Sequence, residues 1–434
     1  MEVSVLTLFP DLHKVFWDTS LLKKAQEKGL VSVDIKNLLD FCEPKKRIDA
    51  PSFGPGAGML LKPEVIEKGI KLQEDKSGKA FKIFFSPAGK KMTPGRLKRL
   101  ADKISQEKHL LLACARYEGM DARVEQEYAD EIISIGDFVT MGGDLPAMLF
   151  LEGLLRFIPG IVGNQESVEQ DSFSGPFVDY PEFTEPVDWK GKIVPEIIRS
   201  GNHGKIAKWR NQKAAEKTVL DHFEWVRSYP LSKDQRDLAR EFIPPHYVTV
   251  LHSEILLKDG NIGNTSVTSL DIHDIARACA TYGIKNYFLA SRLEDQKKIV
   301  RTLLDFWLEG YGADYNLHRH EAVKSIILKN DLAEVIEAIK EKEGVEPIIV
   351  ATSAKTYEPE KTITYKDQSK LWNLKKPILF VFGTGHGLSQ SVMKKCDFYL
   401  GPVTSFTDFN HLSVRSAVAV ILDRWLGMNK ASDL

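Results

Sequence analysis

Residues 114–148 read CARYEGMDARVEQEYADEIISIGDFVTMGGDLPAM, and the order of glycines and apolar runs within them decides the fold class. An apolar run, Leu110 to Ala113, delivers Arg116-Tyr117-Glu118-Gly119. A second, Ile132-Ile133 with Ile135, delivers Gly136-Asp137, and Gly142-Gly143 opens an apolar helix expected over 144–157. Glycine at such turns lets backbone N–H and C=O groups approach a ligand, because no Cβ stands in the way. Working outward, strands are expected at 2–8, 81–85 and 109–114 and a further helix at 95–106. The C-terminal part repeats the alternation, with strands at 247–251, 286–290, 347–351 and 377–382 and helices at 270–282, 293–309, 331–342 and 413–426. Such alternation predicts an α/β protein with mostly parallel sheets. In both parts the glycine turns come late, before a last long apolar helix. A dinucleotide-binding fold places its glycine loop after the first strand instead. No G-x-x-x-x-G-K-[ST] motif occurs, which disfavours nucleotide hydrolysis.

A chain of 434 residues exceeds one ordinary core, so two domains are expected. The boundary is placed near Pro244-Pro245, after a polar helix expected over 231–242, giving domains over 1–243 and 246–434. Hydrophobic content of 43% and charged content of 27% are those of a soluble globular protein. With a formal net charge of −1, nucleic-acid binding has to come from local basic patches. The N-terminus lacks the basic and apolar regions of a signal peptide. No apolar run reaches the roughly 18 residues of a membrane span, so a cytoplasmic protein is expected. Cys42, Cys114, Cys279 and Cys396 are isolated and read as reduced thiols.

Residues 190–217 carry eight Lys/Arg against two acids. Within them Lys205, Lys208, Arg210 and Lys213 fall at roughly helical spacing with Trp209 between. Basic side chains contact phosphates and an aromatic ring stacks on a base; a solvated amphipathic helix is the plainer alternative. A second basic cluster is Lys90, Lys91, Arg96, Lys98 and Arg99. His318-Arg-His320 with His386 and His411 is too loose a pattern for zinc, so no protein-bound metal set is expected from spacing.

Residues 1 to about 243 resemble the bacterial tRNA (guanine-N1)-methyltransferases, knotted members of the SPOUT methyltransferases. The resemblance rests on Leu8-Phe9-Pro10, Phe53-Gly-Pro-Gly-Ala-Gly-Met59, Ser86-Pro87, Arg116-Tyr-Glu-Gly119, Ser134-Ile-Gly-Asp137 and Gly142-Gly143. It continues through Leu145-Pro146-Ala147, Arg156-Phe-Ile-Pro-Gly160, Asp171-Ser-Phe173 and Ser200-Gly-Asn-His203. It implies transfer of a methyl group from S-adenosylmethionine to N1 of the guanosine just 3′ of a tRNA anticodon, by a homodimer whose pocket is shared between subunits. It further implies a knotted cofactor core over about 1–160 and a small helical RNA-binding subdomain at about 165–243.

The implied cofactor-binding residues are Phe84, Phe85, Ser86, Pro87, Ala115, Tyr117, Glu118, Ser134, Ile135, Gly136, Phe138, Thr140, Gly142, Gly143, Leu145, Pro146 and Ala147. Guanine N1 carries a proton, so methylation there requires a general base, and Asp171 matches the family's. Arg156 matches the guanidinium that stabilises charge moving onto O6. From sequence alone, Asp171 reads equally as a helix cap and Arg156 as a solvated side chain. Glu118 attracts the sulfonium by Coulomb's law, and the resemblance also implies magnesium near it. Departures are Ala115 where glycine is usual, Thr140-Met141 where Leu-Ser is common, and acids in 179–186 where His and Arg are common.

Residues 246–434 resemble a less familiar group of SPOUT-type RNA methyltransferases, on Phe382-Gly-Thr-Gly-His-Gly-Leu388, Leu400-Gly-Pro402 and Asn410-His-Leu-Ser-Val-Arg-Ser-Ala417. This implies a second S-adenosylmethionine pocket, with Gly383, Thr384, Gly385, Gly387, Leu400, Pro402, Ser413 and Val414 as cofactor-binding candidates. Asn264 and Arg277 are candidates for its reaction by analogy with ribose-modifying relatives. Two rival readings stay open. In one, only the N-terminal domain is catalytic and the C-terminal domain binds RNA or stabilises a dimer. In the other, the protein binds RNA without catalysis.

Overall fold

A computed structural model of the chain describes residues 1–54, 56, 58–163 and 171–428. Two positions of the 53–59 glycine motif, Pro55 and Ala57, therefore lie outside the described residues, as does the Ser167-Val-Glu-Gln stretch before Asp171. The chain forms two compact units, one over Met1–Gly175 and one beginning at Pro176.

The first unit carries β1 (Glu2–Thr7), β2 (Ser32–Asn37), a small hairpin of β3 (Asp49–Pro51) and β4 (Met59–Leu61), β5 (Phe81–Lys91), β6 (His109–Ala113) and β7 (Glu131–Ser134). Five of these form a sheet in the order β2-β1-β6-β5-β7, every pair parallel. Period-two alternation explains why the sheet is buried on both faces. Leu110 and Leu112 pack on one face with Val3, Val5, Ile83 and Phe85. Leu111 and Ala113 pack on the other with Leu6 and Phe84. Helices Pro94–Glu107 and Asp144–Leu155 cover the first face and helix Pro63–Ser77 the second. Thr93 caps the first of these through its side chain, and Gly78 at φ 82° ends the last.

The second unit begins with a short hairpin, β8 (Asp188–Trp189) and β9 (Lys192–Ile193), then helices Glu196–Arg199, His203–Asp221, Phe223–Ser228 and Lys233–Arg240. The chain continues through β10 (His246–Leu251), a hairpin of β11 (Ser253–Leu256) and β12 (Ile262–Asn264), β13 (Tyr287–Ala290), β14 (Ile326–Lys329) and β15 (Ile348–Thr352). It ends with β16 (Thr362–Ile363), β17 (Ile378–Gly383) and β18 (Phe398–Leu400). Seven strands form a parallel sheet in the order β14-β13-β10-β17-β15-β18-β16. Pro244-Pro245, expected as a boundary, joins the helical segment to β10 inside this unit. Val219, Phe223 and Val226 of the helical segment share one core with Val248, Phe380, Trp372 and Trp425. Among the described residues no helix is long and apolar enough to cross a membrane.

Candidate active site

In the first unit the C-terminal ends of β5, β6 and β7 open onto a cleft of about 320 Å³. Ligands of parallel α/β sheets bind at this end of the strands, and the volume suits a small molecule. Register between β5 and β7 breaks between Phe85 and Lys90, and this bulge turns Ser86 and Pro87 into the cleft. Residues 115–120 after β6 supply one wall, and Ser134 at the end of β7 with Ile135, Phe138, Val139, Thr140, Gly142 and Gly143 after it supply the other.

The backbone here is shaped for close approach. Tyr117 has φ 61° and Gly119 φ 120°, which tightens the turn so that Gly119 N donates to Arg116 O (3.1 Å). A Cβ on Gly143 would lie 2.9 Å from Ala115 N and 3.0 Å from Cys114 Cα, both fixed backbone atoms. Only glycine therefore lets the helix Asp144–Leu155 start against the end of β6, where Gly143 N donates to Ala115 O (2.7 Å). Thr140 Oγ1 donates to Gly142 O (2.9 Å) and Ser134 Oγ to Gly136 O (3.0 Å), which fixes both turns. Asp144 is buried and accepts hydrogen bonds from Thr7 Oγ1 and from His13 Nε2 (3.1 Å), pinning the helix start to β1 and to helix Pro10–Trp17.

Of the cofactor residues expected in this unit, the cleft gathers Phe85, Ser86, Pro87, Ala115, Tyr117, Glu118, Ser134, Ile135, Phe138, Thr140, Gly142, Gly143 and Pro146. Four others stand behind or beside it. Phe84 and Ala147 are fully buried in the core, Phe84 because alternation along β5 points it to the face opposite Phe85. Gly136 supports its turn, and Leu145 is 58% exposed. Sequence reasoning missed Glu125, which lines the cleft and whose carboxyl burial holds above the ordinary glutamate range. Its only signal was its place one helical turn into Ala122–Tyr128, which is too common to distinguish it.

Arg156, at the C-terminal end of the helix Asp144–Leu155, forms a direct ion pair with Asp171. The two residues, 15 positions apart, are thus brought together, though neither lines the cleft itself. A carboxylate acceptor beside a guanidinium donor can take a proton and stabilise the charge it leaves behind.

The donor set for magnesium is less complete. Among the described residues the only group of three possible metal ligands is His13, Cys114 and Asp144, all buried. Magnesium prefers oxygen ligands and keeps several waters, so this thiol- and imidazole-containing group does not suit it. Glu118 and Glu125 line the cleft without a third such ligand.

In the second unit, the expected residue Gly383 ends β17 and Thr384, Gly385 and Gly387 follow it, while Leu400 ends β18 and Pro402 follows it. Both strands flank β15. Gly385 (φ 58°) and Gly387 (φ 108°) allow the turn, and Thr384 Oγ1 ties it to Leu251 O (3.0 Å) and Thr265 Oγ1 (2.6 Å). Ser413 caps the helix Val414–Leu426, and Asn410 Nδ2 donates to Ala354 O (2.7 Å), joining the loops after β18 and β15. Asn264 and Arg277 are both exposed, on β12 and on helix Ser269–Thr281.

The expected RNA-binding residues lie on one helix, His203–Asp221, in two situations. Lys205 and Lys208 are exposed and unpaired among the described residues. Arg210 packs over Tyr180 (4.6 Å) and reaches Glu182 (4.0 Å), Trp209 meets Phe183 (6.2 Å), and Lys213 pairs with Glu216 (2.7 Å). The unexpected acids of 179–186 thus include a partner for Arg210.

Comparison with known proteins shows the family of the first part and the class of the second. The family described as "tRNA (Guanine-1)-methyltransferase TrmD" matches residues 1–228. The chain belongs to this family. A second family, described as "SAM-dependent RNA methyltransferase", matches residues 245–427. Similar curated proteins include the tRNA (guanine-N(1)-)-methyltransferase of Nitratidesulfovibrio vulgaris, 36% identical over 98% of this chain and 99% of its own length. That of Oleidesulfovibrio alaskensis is 34% identical over 98% and 99%. The Bacillus subtilis enzyme is 36% identical but pairs 99% of its length with 56% of this chain. The two-domain arrangement therefore recurs in whole relatives, while others have only the first part. This chain is a methyltransferase of the tRNA (guanine-N1) type carrying a second RNA methyltransferase domain.

Proposed function

We propose that the first site methylates N1 of the guanosine 3′ of the tRNA anticodon, with S-adenosylmethionine as donor. The observation that carries the residue assignment is the Arg156–Asp171 pair, set in the unit that also holds the glycine-shaped cleft. S-adenosylmethionine supplies an electrophilic methyl group when bound. Asp171 accepts the N1 proton, leaving the electron pair that forms the new N–C bond as the methyl carbon's bond to sulfur breaks, and Arg156 donates to O6 as negative charge develops there. Glu118 sits at the cleft wall, where its carboxylate attracts a sulfonium. The walls from residues 85–87, 138–140 and 142–143 orient the donor and shield it from water.

Supporting observations extend this reading. β7 lies at the sheet edge, yet the chain after it returns to the end of β6, a crossing that supports a SPOUT-type trefoil knot. Val139 lines the cleft and is 81% exposed, as is Met141 two residues on, with Phe138 and Leu145 also exposed, which supports a homodimer covering this rim. Exposed Lys205 and Lys208 support tRNA binding by residues 203–217, and action on tRNA implies a cytoplasmic enzyme. The functional domains would then be 1–243 and 246–434, with a second donor site at the glycine loop 383–387. Titrating S-adenosylmethionine into the full chain tests this: two sites per chain support it, and one site leaves only the first domain catalytic.

A further inference from the structure

We infer that the second methyltransferase site also acts on tRNA, and that helix His203–Asp221 holds that RNA for it. The inference rests on the reading of this helix as tRNA-binding. It follows from how one continuous helix is built. Its 19 residues span about 28 Å at 1.5 Å per residue. The first half carries exposed Lys205 and Lys208, whereas Ala215, Thr218 and Val219 in the second half are completely buried.

What buries the second half is the C-terminal sheet's own core. Val219 belongs to the core that includes Phe380 of β17 and Trp425 of the last helix. One turn further on, Phe223 meets Trp372 edge-on, with ring centroids 4.6 Å apart. Arg227 then seals the joint. Its guanidinium, 5% exposed, donates to the carbonyls of Gly427 (2.8 Å), Arg424 (3.0 Å) and Asp423 (3.0 Å). Two of these carbonyls, Arg424 and Asp423, lie in the last turn of helix Val414–Leu426, where backbone acceptors run short of helical donors, and Asp423 O also accepts from Gly427 N (2.8 Å). That same helix begins at Ser413, in the loop after β18 that forms part of the second candidate site. The basic helix is thus a rigid extension of the second catalytic unit. RNA bound to Lys205 and Lys208 is held at a high local concentration for that site whatever the first site does.

Chemically, the donor's S–CH₃ bond breaks, a bond forms from that carbon to a nucleophilic oxygen or nitrogen of the tRNA, and the displaced proton leaves to solvent. Full-length Asp171→Ala, supplied with labelled S-adenosylmethionine and either unmodified tRNA or ribosomal RNA, tests the inference. The expected result is label in tRNA at a nucleotide other than the one 3′ of the anticodon. Adding Lys205→Glu with Lys208→Glu, both exposed and therefore tolerated by the fold, raises the KM for that activity at least tenfold with little change in kcat. Label confined to ribosomal RNA, or no label in tRNA, overturns the inference. If the lysine reversals weaken tRNA binding and the first methylation while Asp171→Ala labels no tRNA, only the inference falls. If the reversals leave tRNA affinity unchanged, the reading of the helix falls and takes the inference with it.

Discussion

Replacing Asp171 by alanine separates chemistry from folding. The carboxylate pairs with Arg156, but the two side chains are 37% and 45% exposed. Ion pairs this accessible to water contribute about 0–1 kcal/mol to stability. For a compact unit of this size that is a shift in melting temperature of at most about 2–4 °C. Loss of a general base, by contrast, slows proton-coupled transfer by about 10²–10⁴-fold, equivalent to about 3–5 kcal/mol in the barrier. Neither residue lines the cleft, so the affinity for S-adenosylmethionine should stay within a few-fold. The assay is single-turnover methyl transfer to an unmodified transcript, with donor affinity measured by calorimetry and melting followed in parallel. A variant that melts normally, binds donor normally and still transfers within tenfold of the wild-type rate would refute the assignment of Asp171 as the base.

Gly143→Ala places a Cβ against the backbone of Cys114 and Ala115, so the affinity for S-adenosylmethionine should fall at least tenfold; an unchanged calorimetric Kd would mean that this close approach does not shape the donor site. Arg227→Met leaves the Gly427 and Arg424 carbonyls without their buried donor, a loss of about 3 kcal/mol, and should lower the melting of the second unit by about 6–12 °C. A melting curve that does not move would show that other donors satisfy those carbonyls. Burial holds His246 and His252 at about 4, below the ordinary histidine value. A depressed histidine stabilises the fold fully above its unfolded value near 6.5, and that stability is lost as pH falls from there toward 4. By pH 5 the loss is about 2 kcal/mol for each histidine. Protonating His246 at Nε2 also breaks its bond from Trp425 Nε1 (3.0 Å). Denaturant midpoints at pH 7 and pH 5 should differ accordingly; equal midpoints would contradict it.

The strands that form the centre of each sheet were legible because a parallel strand buried on both faces is a nearly unbroken apolar run. His109–Ala113 and Ile378–Gly383 are such runs. Phe398–Leu400 and Thr362–Ile363 are too short to show a period, and Ser32–Asn37 alternates polar residues at a sheet edge. The cleft was legible where glycines and prolines force the chain, as at Gly142-Gly143 and Ser86-Pro87. Arg116 meets Gly142 in it because the chain after β7 folds back against the end of β6, a relation between distant segments that no local pattern carries. The same limit hid Arg227, an ordinary basic residue in sequence whose carbonyl partners lie about 200 positions away.

Locating the transferred methyl group decides whether the first site modifies guanine N1. Purified wild-type protein is incubated with S-adenosylmethionine and an unmodified tRNA transcript bearing guanosine after the anticodon, and the digested RNA is read by mass spectrometry. The expected product is 1-methylguanosine at that position, absent from the Asp171→Ala reaction. A wild-type reaction that leaves that guanosine unmethylated, or methylates it at another atom, would contradict it.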